Sequence, residues 1–247
     1  MNHFTLICVG YNCKRYIPKF YQSIYEQKYG NIDVYIHDDG STDDGLNYLS
    51  KIKDNRIHIS RTKGNYGAAF SRHLLIHNTK REDTIFVQLD MDDYLLPGAL
   101  QKLDLIYSRN QRLQMSIGNY TSPFGNNRNR IYNSSIINQK TFRKSHNFNV
   151  PHLRSMRYQL MADMPRYIFK DERNKWYKYC TDVPLMLWPL YKCAGNEVFI
   201  NYKPLYYYRT NRPNSTLAIA GKRKKMRRLK QIYKMFDDRY RNGTLFQ

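Results

Sequence analysis

The stretch TIFVQLDMDD, residues 84–93, joins a short apolar run to a cluster of acids. Residues 84–89 predict a buried strand, because a short run of mostly apolar residues suits a strand covered on both faces. Asp90, Asp92 and Asp93 follow directly, at the point where that strand would end. Ligands of open parallel sheets bind outside the carboxyl ends of the strands. The stretch therefore predicts one strand of such a sheet and the position of a site.

Strands and helices alternate through residues 1–110. Apolar or alternating runs predict further strands at residues 4–9, 32–37 and 57–60. Apolar residues spaced three and four apart predict helices at residues 17–27, 42–51, 67–78 and 97–107, with Ser41 or Thr42 capping the second. Strands that alternate with helices form right-handed crossovers onto a parallel sheet. We expect an α/β fold: a single domain with a Rossmann-like, mostly parallel sheet flanked by helices.

The chain of 247 residues carries a formal net charge of +21, and 41% of its residues are hydrophobic. That apolar share supports a core and excludes general disorder. No apolar run approaches the roughly 18 residues of a membrane span, which excludes an integral membrane protein, and the first residues lack a signal-peptide pattern. The basic excess indicates polyanionic partners: nucleic acid, an anionic membrane surface or phosphate-bearing substrates.

The cysteines favour a reducing compartment. Cys8, Cys13, Cys180 and Cys193 show no zinc-site spacing, so buried reduced thiols are the simpler interpretation. Together with the missing signal-peptide pattern, they predict a cytoplasmic protein. Richness in Tyr, Asn, Lys and Ile is typical of AT-rich genomes, including those of large DNA viruses, for which the location would be the host cytoplasm.

The second half of the chain has weaker patterns. Residues 182–193 predict a buried helix, residues 198–209 a strand, and the polar residues 119–149 an irregular or hairpin segment. Residues 221–240 predict a basic amphipathic helix. Such a helix lies on an anionic membrane, or packs its apolar stripe on the domain or on a second subunit in a homodimer. The long, regular stripe favours packing.

Two acidic clusters follow predicted strands. Two carboxylates at positions 90 and 92 suit a shared Mg²⁺ or Mn²⁺, which prefer hard oxygen ligands; the alternative is an acidic turn with Asp93 as an N-cap. In the segment DDGSTD, residues 38–43, Asp39 suits a hydrogen bond to a base or ribose, and Gly40 suits close approach of the backbone to a ligand. Ordinary turn and capping chemistry is the alternative there.

Four motifs in order resemble those of family 2 glycosyltransferases, which have the GT-A fold. They are VGYN at residues 9–12, DDGSTD at 38–43, NYGAAFSR at 65–72, and LDMDD at 89–93 followed by PGAL at 97–100. The resemblance covers about the first 110 residues. It implies residues 1–220 as the glycosyltransferase domain, with residues 1–110 as its nucleotide-binding half and residues 111–220 as its acceptor half. Residues 221–247 form the basic helix and tail.

The resemblance also implies a nucleotide-sugar donor, most often a UDP-sugar, and a Mn²⁺ or Mg²⁺ cofactor. Asp90 and Asp92 match the metal-binding aspartates, with Asp92 as the more direct ligand. Asp39 matches the residue that binds the uracil edge, while Arg61 and Arg72 lie where they reach the pyrophosphate. The donor-binding candidates are Tyr11, Asn12, Asp38, Asp39, Arg61, Asn65, Arg72, Asp90 and Met91.

On the acceptor side, Asp182 stands where the family has its catalytic base. Thr181 replaces the glutamate that usually precedes it, so a helix N-cap is the alternative for Asp182. Asp93, His152 and Thr181 are further acceptor-side candidates. The resemblance implies an inverting transfer of a hexosyl or N-acetylhexosaminyl group to a hydroxyl of a glycan, lipid or protein acceptor, with Asp182 as base.

Two other functions remain alternatives. A nucleic-acid-binding protein would explain the charge and the mixed basic and aromatic residues, but the acids cluster where a phosphodiester would be repelled, which disfavours a nucleic-acid partner. A nucleotidyltransferase on a related fold usually has a glycine-rich basic loop after its first strand, and here only GYNCKR occupies residues 10–15.

Overall fold

The computed structural model describes residues 1–79, 81–126, 152–178, 180–193, 197–210 and 216–247. The strands of its first half are β1 (His3–Gly10), β2 (Ile32–Asp38), β3 (Ile57–Arg61) and β4 (Thr84–Asp90), and the helices are α1 (Ile17–Tyr25), α2 (Gly45–Leu49), α3 (Ala68–Asn78) and α4 (Ala99–Arg109). These strands form a parallel sheet in the order β3-β2-β1-β4. The α/β fold with alternating strands and helices is confirmed.

The second half extends the same sheet with mixed pairing. The further strands are β5 (Tyr94–Leu95), β6 (Met115–Ser122), β7 (Gly125–Asn126), β8 (Arg154–Arg157) and β9 (Val198–Tyr207), and the helices are α5 (Asp182–Lys192) and α6 (Thr216–Arg241). Strand β8 is antiparallel to both β4 and β6, β9 is parallel to β6, and β5 is antiparallel to β9. Most of the segment predicted as irregular, residues 127–149, lies outside the described residues.

The central strands are apolar on both faces because each face carries its own core. In β1, Phe4, Leu6 and Cys8 belong to the core beneath α1 and α4. Ile7 and Val9 point the other way, into the core shared with α3, α5 and α6. Near-continuous apolar strands are expected where both faces of a sheet are covered. This double burial explains why the short apolar runs predict the strands well.

The C-terminal helix packs on the domain. Ile232, Tyr233 and Phe236 are buried in the core that also contains α5. The hydroxyl of Tyr191 donates to Asp237 at 2.5 Å, which ties α5 to α6. The helix begins before the predicted residue 221, although Gly221 itself has a non-helical backbone with φ of 69°. No helix within the described ranges has both the length and the apolar character needed to cross a bilayer.

Helix α2 is shorter than the 42–51 predicted. It begins at Gly45 after Asp44, and that N-cap makes no side-chain capping bond. The expected capping residues bind elsewhere: the Ser41 hydroxyl accepts from the Asn12 backbone N–H at 2.8 Å, and the Thr42 N–H donates to the Asn12 side chain at 2.8 Å. Ser41 and Thr42 therefore join two loops rather than start a helix.

Strand register brings the motif residues together. Gly10 is paired with Asp38 across β1 and β2, and Val9 is paired with Asp90 across β1 and β4. Since these strands are parallel, the loops that follow them meet at one edge of the sheet. That edge is where ligands bind in open α/β sheets.

Replacing Gly118 with alanine should destabilise the junction of β6 with the segment before β8. The Gly118 N–H donates to the Leu153 carbonyl at 2.6 Å, and a Cβ at this position would lie 2.6 Å from the Leu153 nitrogen and 2.8 Å from its oxygen. Backbone atoms cannot easily move away from an added Cβ, so we expect G118A to lower the free energy of unfolding by about 1–3 kcal/mol in urea denaturation.

G30A is the matched control, because a Cβ on Gly30 meets nothing within 4 Å. It should change stability by no more than about 0.5 kcal/mol. Equal stability of the two variants would contradict the close approach at Gly118.

Candidate active site

The loop after β2 is fastened to the start of α3 by Asp39. Its buried carboxylate accepts from the backbone N–H groups of Tyr66 at 3.0 Å and Gly67 at 2.7 Å, and from the Thr62 hydroxyl at 3.3 Å. A carboxylate offers about four acceptor positions, so one more donor fits. Binding of a base edge by Asp39 stays a prediction that this geometry permits.

Asp38 and Arg61 close the same loop from the other side. One Asp38 oxygen accepts from both the amide and the hydroxyl of Ser41, and the other lies 3.2 Å from the Arg61 Nε. The Arg61 guanidinium also donates to the Ser41 carbonyl at 2.7 Å. Arg61 thus holds the loop while its side chain stays partly exposed, and a contact with a pyrophosphate remains untested.

The loop after β1 lies against the loop after β2. Asn12 adopts a left-handed backbone with φ of 53° and uses its amide and side chain to hold Ser41 and Thr42. Tyr11 beside it is 43% exposed, and Asn65, on the loop before α3, is exposed as well. Tyr11 and Asn65 are therefore accessible to a ligand.

Three acids lie together after β4. One carboxylate oxygen each from Asp90, Asp92 and Asp93 lies within 4.8 Å of the others. Met91 between them is different: its side chain is 2% exposed and packs beneath Gly10, where a Cβ would lie 2.6 Å from its sulfur. The Met91 side chain therefore faces the core and supports the acidic turn from below, and donor binding by Met91 stays a prediction.

Asp93 is held by the C-terminal end of β9 and the residues after it. The Tyr206 hydroxyl donates to one carboxylate oxygen at 2.7 Å, and the Arg209 N–H donates to the other at 2.7 Å. Burial and then the charge of Asp90 raise the pKa of Asp93 to about 8. The N-cap alternative for Asp93 is wrong, since α4 begins after Gly98. Its acceptor-side role stays a prediction.

The remaining two acids fit a divalent cation. Asp90 is partly exposed and Asp92 is buried at the edge of the cleft. Mg²⁺ and Mn²⁺ bind through one or two carboxylates together with substrate phosphates. The oxygen-only donor set of Asp90 and Asp92 suits either ion.

Arg72 connects the acidic turn to the start of α5. Its buried guanidinium donates to Asp90 at 2.6 Å and to the Thr181 hydroxyl at 2.7 Å. Burial alone would lower the pKa of Arg72, but the charges of Asp90 and Asp182 outweigh it and raise the pKa. Arg72 was predicted to reach the pyrophosphate; in the structure it bridges the two sides of the site.

Asp182 lies at the start of α5 with 38% of its side chain exposed. The buried Arg154 on β8 donates to its carboxylate at 3.0 Å. Burial favours a higher pKa, but Arg154 and then Arg72 outweigh it and lower the pKa of Asp182. The carboxylate is therefore ionised at neutral pH. The N-cap of α5 is Thr181, so the N-cap alternative for Asp182 is wrong.

His152 lies in the same group of charges. Its ring stacks on Tyr206 at 4.5 Å and on Tyr208 at 5.5 Å between centroids. Burial, followed by the charge of Arg154, lowers its pKa well below the usual value. Its Nδ1 is buried with no hydrogen-bond partner among the described residues. His152 is thus a neutral ring stacked on two tyrosines, and its acceptor-side role stays a prediction.

Three residues of the site were missed as functional in the sequence. Arg154, Tyr206 and Arg209 hold Asp182 and Asp93, and none of the three was among the site candidates predicted from the sequence. These residues belong to two stretches that mix basic and aromatic side chains, HLRSMR at residues 152–157 and PLYYYR at residues 204–209. The fold brings both stretches close to the acids.

Two curated proteins resemble part of the chain. A UDP-Glc:alpha-D-GlcNAc-diphosphoundecaprenol beta-1,3-glucosyltransferase of Escherichia coli is 33% identical over 116 residues, which cover 47% of this chain and 45% of that protein. A chondroitin synthase of Pasteurella multocida is 36% identical over 94 residues, covering 37% of this chain and 9% of the synthase. The matches span less than half of either relative.

Solved structures share the fold over most of the chain. The S. aureus protein TarS 1-349 in complex with UDP gives a TM-score of 0.64 at 19% identity, covering 96% of this chain and 71% of the TarS 1-349 chain. Its complex with UDP-GlcNAc gives a TM-score of 0.61 at 17% identity, with 85% and 59% covered. The family model for glycosyl transferase family 2 matches residues 5–173. Because that match spans more than half of its 247 residues, the chain belongs to glycosyl transferase family 2.

Proposed function

We propose that the chain is a metal-dependent, inverting glycosyltransferase that uses a UDP-sugar donor and a hydroxyl acceptor. One observation carries the proposal: the acids after β4 lie on one side of Arg72, and the ionised Asp182 lies beside the Thr181 hydroxyl on the other. A cation-binding pair and an ionised carboxylate across one cleft suit a donor diphosphate on one side and an acceptor hydroxyl on the other.

The donor proposal is supported by family membership and by the names of the similar proteins. TarS has been solved with UDP and with UDP-GlcNAc, and the E. coli relative is named for UDP-Glc. In this chain the UDP would lie across the loops after β1 and β2, against Tyr11 and Asp39. We propose a hexosyl or N-acetylhexosaminyl group as the sugar transferred.

Asp90 and Asp92 would hold the Mn²⁺ or Mg²⁺ ion. Bound there, the ion would supply positive charge that stabilises the departing diphosphate. The chain's own part is positional. Arg72 fixes Asp90, and the backbone of Asp92 is fixed by Arg209, whose Nε donates to the Asp92 carbonyl at 3.0 Å.

Asp182 would act as the base. Its carboxylate accepts the proton of the acceptor hydroxyl, whose oxygen then forms a bond to the anomeric carbon. The bond from that carbon to the diphosphate breaks on the opposite face, so the configuration inverts. Arg154 keeps Asp182 ionised and oriented before the acceptor arrives.

The acceptor proposed is a hydroxyl of a glycan, free or carried on a lipid. The E. coli relative is named for a diphosphoundecaprenol-linked acceptor, and the P. multocida relative is named as a chondroitin synthase. The His152 ring, stacked on Tyr206 and Tyr208, lies close enough to Asp182 for the charge of that carboxylate to act on it.

Replacing Asp92 with asparagine should remove metal-dependent activity. The loss of one anionic ligand removes charge stabilisation of several kcal/mol, so UDP release from the donor should fall by at least roughly 100-fold. Mn²⁺ binding, measured by calorimetry with UDP present, should weaken in parallel. D163N removes an exposed carboxylate that pairs with Lys192 and should behave like the wild type. Full Mn²⁺-dependent activity of D92N would refute the site.

Replacing Arg154 with glutamine should shift the pH dependence of transfer. The guanidinium is the largest charge that lowers the pKa of Asp182, so its loss moves the acidic limb of kcat to higher pH. We also expect kcat to fall by roughly tenfold or more while the donor KM changes little.

R157Q is the control on the same strand, since Arg157 binds the Leu113 carbonyl and lies over Tyr107 instead. The acidic limb of R157Q should remain at the wild-type position. An unshifted limb in R154Q would show that Asp182 does not act as the base.

A further inference from the structure

The outer face of α6 carries a line of positive charge. Five exposed basic residues recur every three, four or seven positions, so at 3.6 residues per turn they fall within about 60° of the helix circumference. The residues, named the basic ridge, are Arg223, Arg227, Lys230, Lys234 and Arg241. From first to last, they extend over about 27 Å at 1.5 Å per residue.

The basic ridge lies opposite the buried side of the helix. Ile232 and Phe236 are fully buried in the domain core, and they project about half a turn away from the ridge. Docking of the apolar stripe therefore fixes which side faces outward. The apolar stripe cannot insert into a bilayer while the domain covers it, so the ridge is the side of α6 open to a partner.

Little negative charge offsets the ridge in the described part of α6. Asp238 shares this face, 3.8 Å from the Lys234 Nζ. Asp237 is turned toward α5, where it accepts from Tyr191. Met226 flanks the ridge with 48% of its side chain exposed. The face thus combines a run of cations with an accessible apolar side chain.

We propose that the basic ridge docks the chain on an anionic membrane surface. After Gly221, α6 presents all five cations within about 60° of one side, so they can meet a plane at once, whereas a flexible polyanion is better held in a groove. Basic residues near an anionic bilayer each contribute favourably, and several together give stable but salt-sensitive attachment. The exposed Met226 suits the boundary between headgroups and acyl chains.

The start of α6 also lies near the acceptor side of the cleft. The Cys180 thiol donates to the Lys225 carbonyl at 3.9 Å, two residues before Asp182. Docking through the ridge would therefore bring the cleft close to the membrane surface. This consequence rests on the proposed function; the docking itself does not.

Vesicle co-sedimentation of the full chain tests the proposal without donor or acceptor. The vesicles contain one part phosphatidylglycerol to two parts phosphatidylcholine, with pure phosphatidylcholine as reference. We expect binding to the anionic vesicles alone at about 0.1 M salt, and its loss at about 1 M, where the Debye length is only about 3 Å.

Two variants of equal charge separate the ridge from net charge. R223Q/R227Q/K230Q/K234Q removes four ridge cations, and K51Q/K53Q/R109Q/R112Q removes four exposed cations elsewhere, so each lowers the net charge of +21 by four. The ridge variant should bind at least roughly thirtyfold more weakly, and the control should stay within about threefold of wild type. Glutamine preserves helix propensity, and circular dichroism checks the fold.

Three outcomes overturn the proposal. The first is that the wild type does not bind anionic vesicles, and the second is that both variants lose binding equally. The third is that the ridge binds soluble polyphosphate but the chain does not bind vesicles. The last outcome would assign the ridge to a polyanionic chain instead. None of these outcomes depends on transferase activity, which the Asp92 and Arg154 variants test separately.

Discussion

The buried guanidinium of Arg72 is the interaction on which the site depends. It donates to Asp90 at the end of β4 and to Thr181 at the start of α5, two positions 91 residues apart in the chain. A buried charge of this kind is stable only when its partners are present, and removing one partner typically costs about 3–5 kcal/mol. Arg72 therefore couples the folding of the first half of the chain to the placement of Asp182 and makes the two sides of the site one unit.

A second ion pair repeats this arrangement beside the first. Arg154 on β8 is buried and donates to the Asp182 carboxylate at 3.0 Å, which compensates its charge. The positive charges of Arg154 and Arg72 lower the pKa of Asp182. Asp93 in the acidic turn has different partners: it accepts from the Tyr206 hydroxyl and the Arg209 amide, and its pKa is raised to about 8. The pKa of Asp182 is thus lowered and that of Asp93 is raised, because different segments pack against the two carboxylates. The minority acids of a strongly basic chain acquire their roles from these contacts.

The first half of the fold could be predicted because its central strands, β1 and β4, are buried on both faces, so short apolar runs mark them. Strands β6 and β8 escaped prediction, since Ser116 and Gly118 interrupt one and Arg154 and Arg157 bracket the other. The acids of the site follow strand ends and are local in sequence, so they were found. Their partners come from distant segments, and a pairing such as Arg154 with Asp182 exists only in the folded chain. The burial of the Met91 side chain was likewise not visible in the sequence, because the turn directs it beneath Gly10.

A double-mutant cycle on Arg72 and Asp90 tests this account most directly. The free energy of unfolding is measured in urea, with a chelator present, for wild type, R72M, D90N and R72M/D90N. Because the two side chains lie 2.6 Å apart and Arg72 is buried, the account predicts a coupling energy of about 1.5 kcal/mol or more. Effects that add to within about 0.5 kcal/mol would show that the pair does not hold the site together.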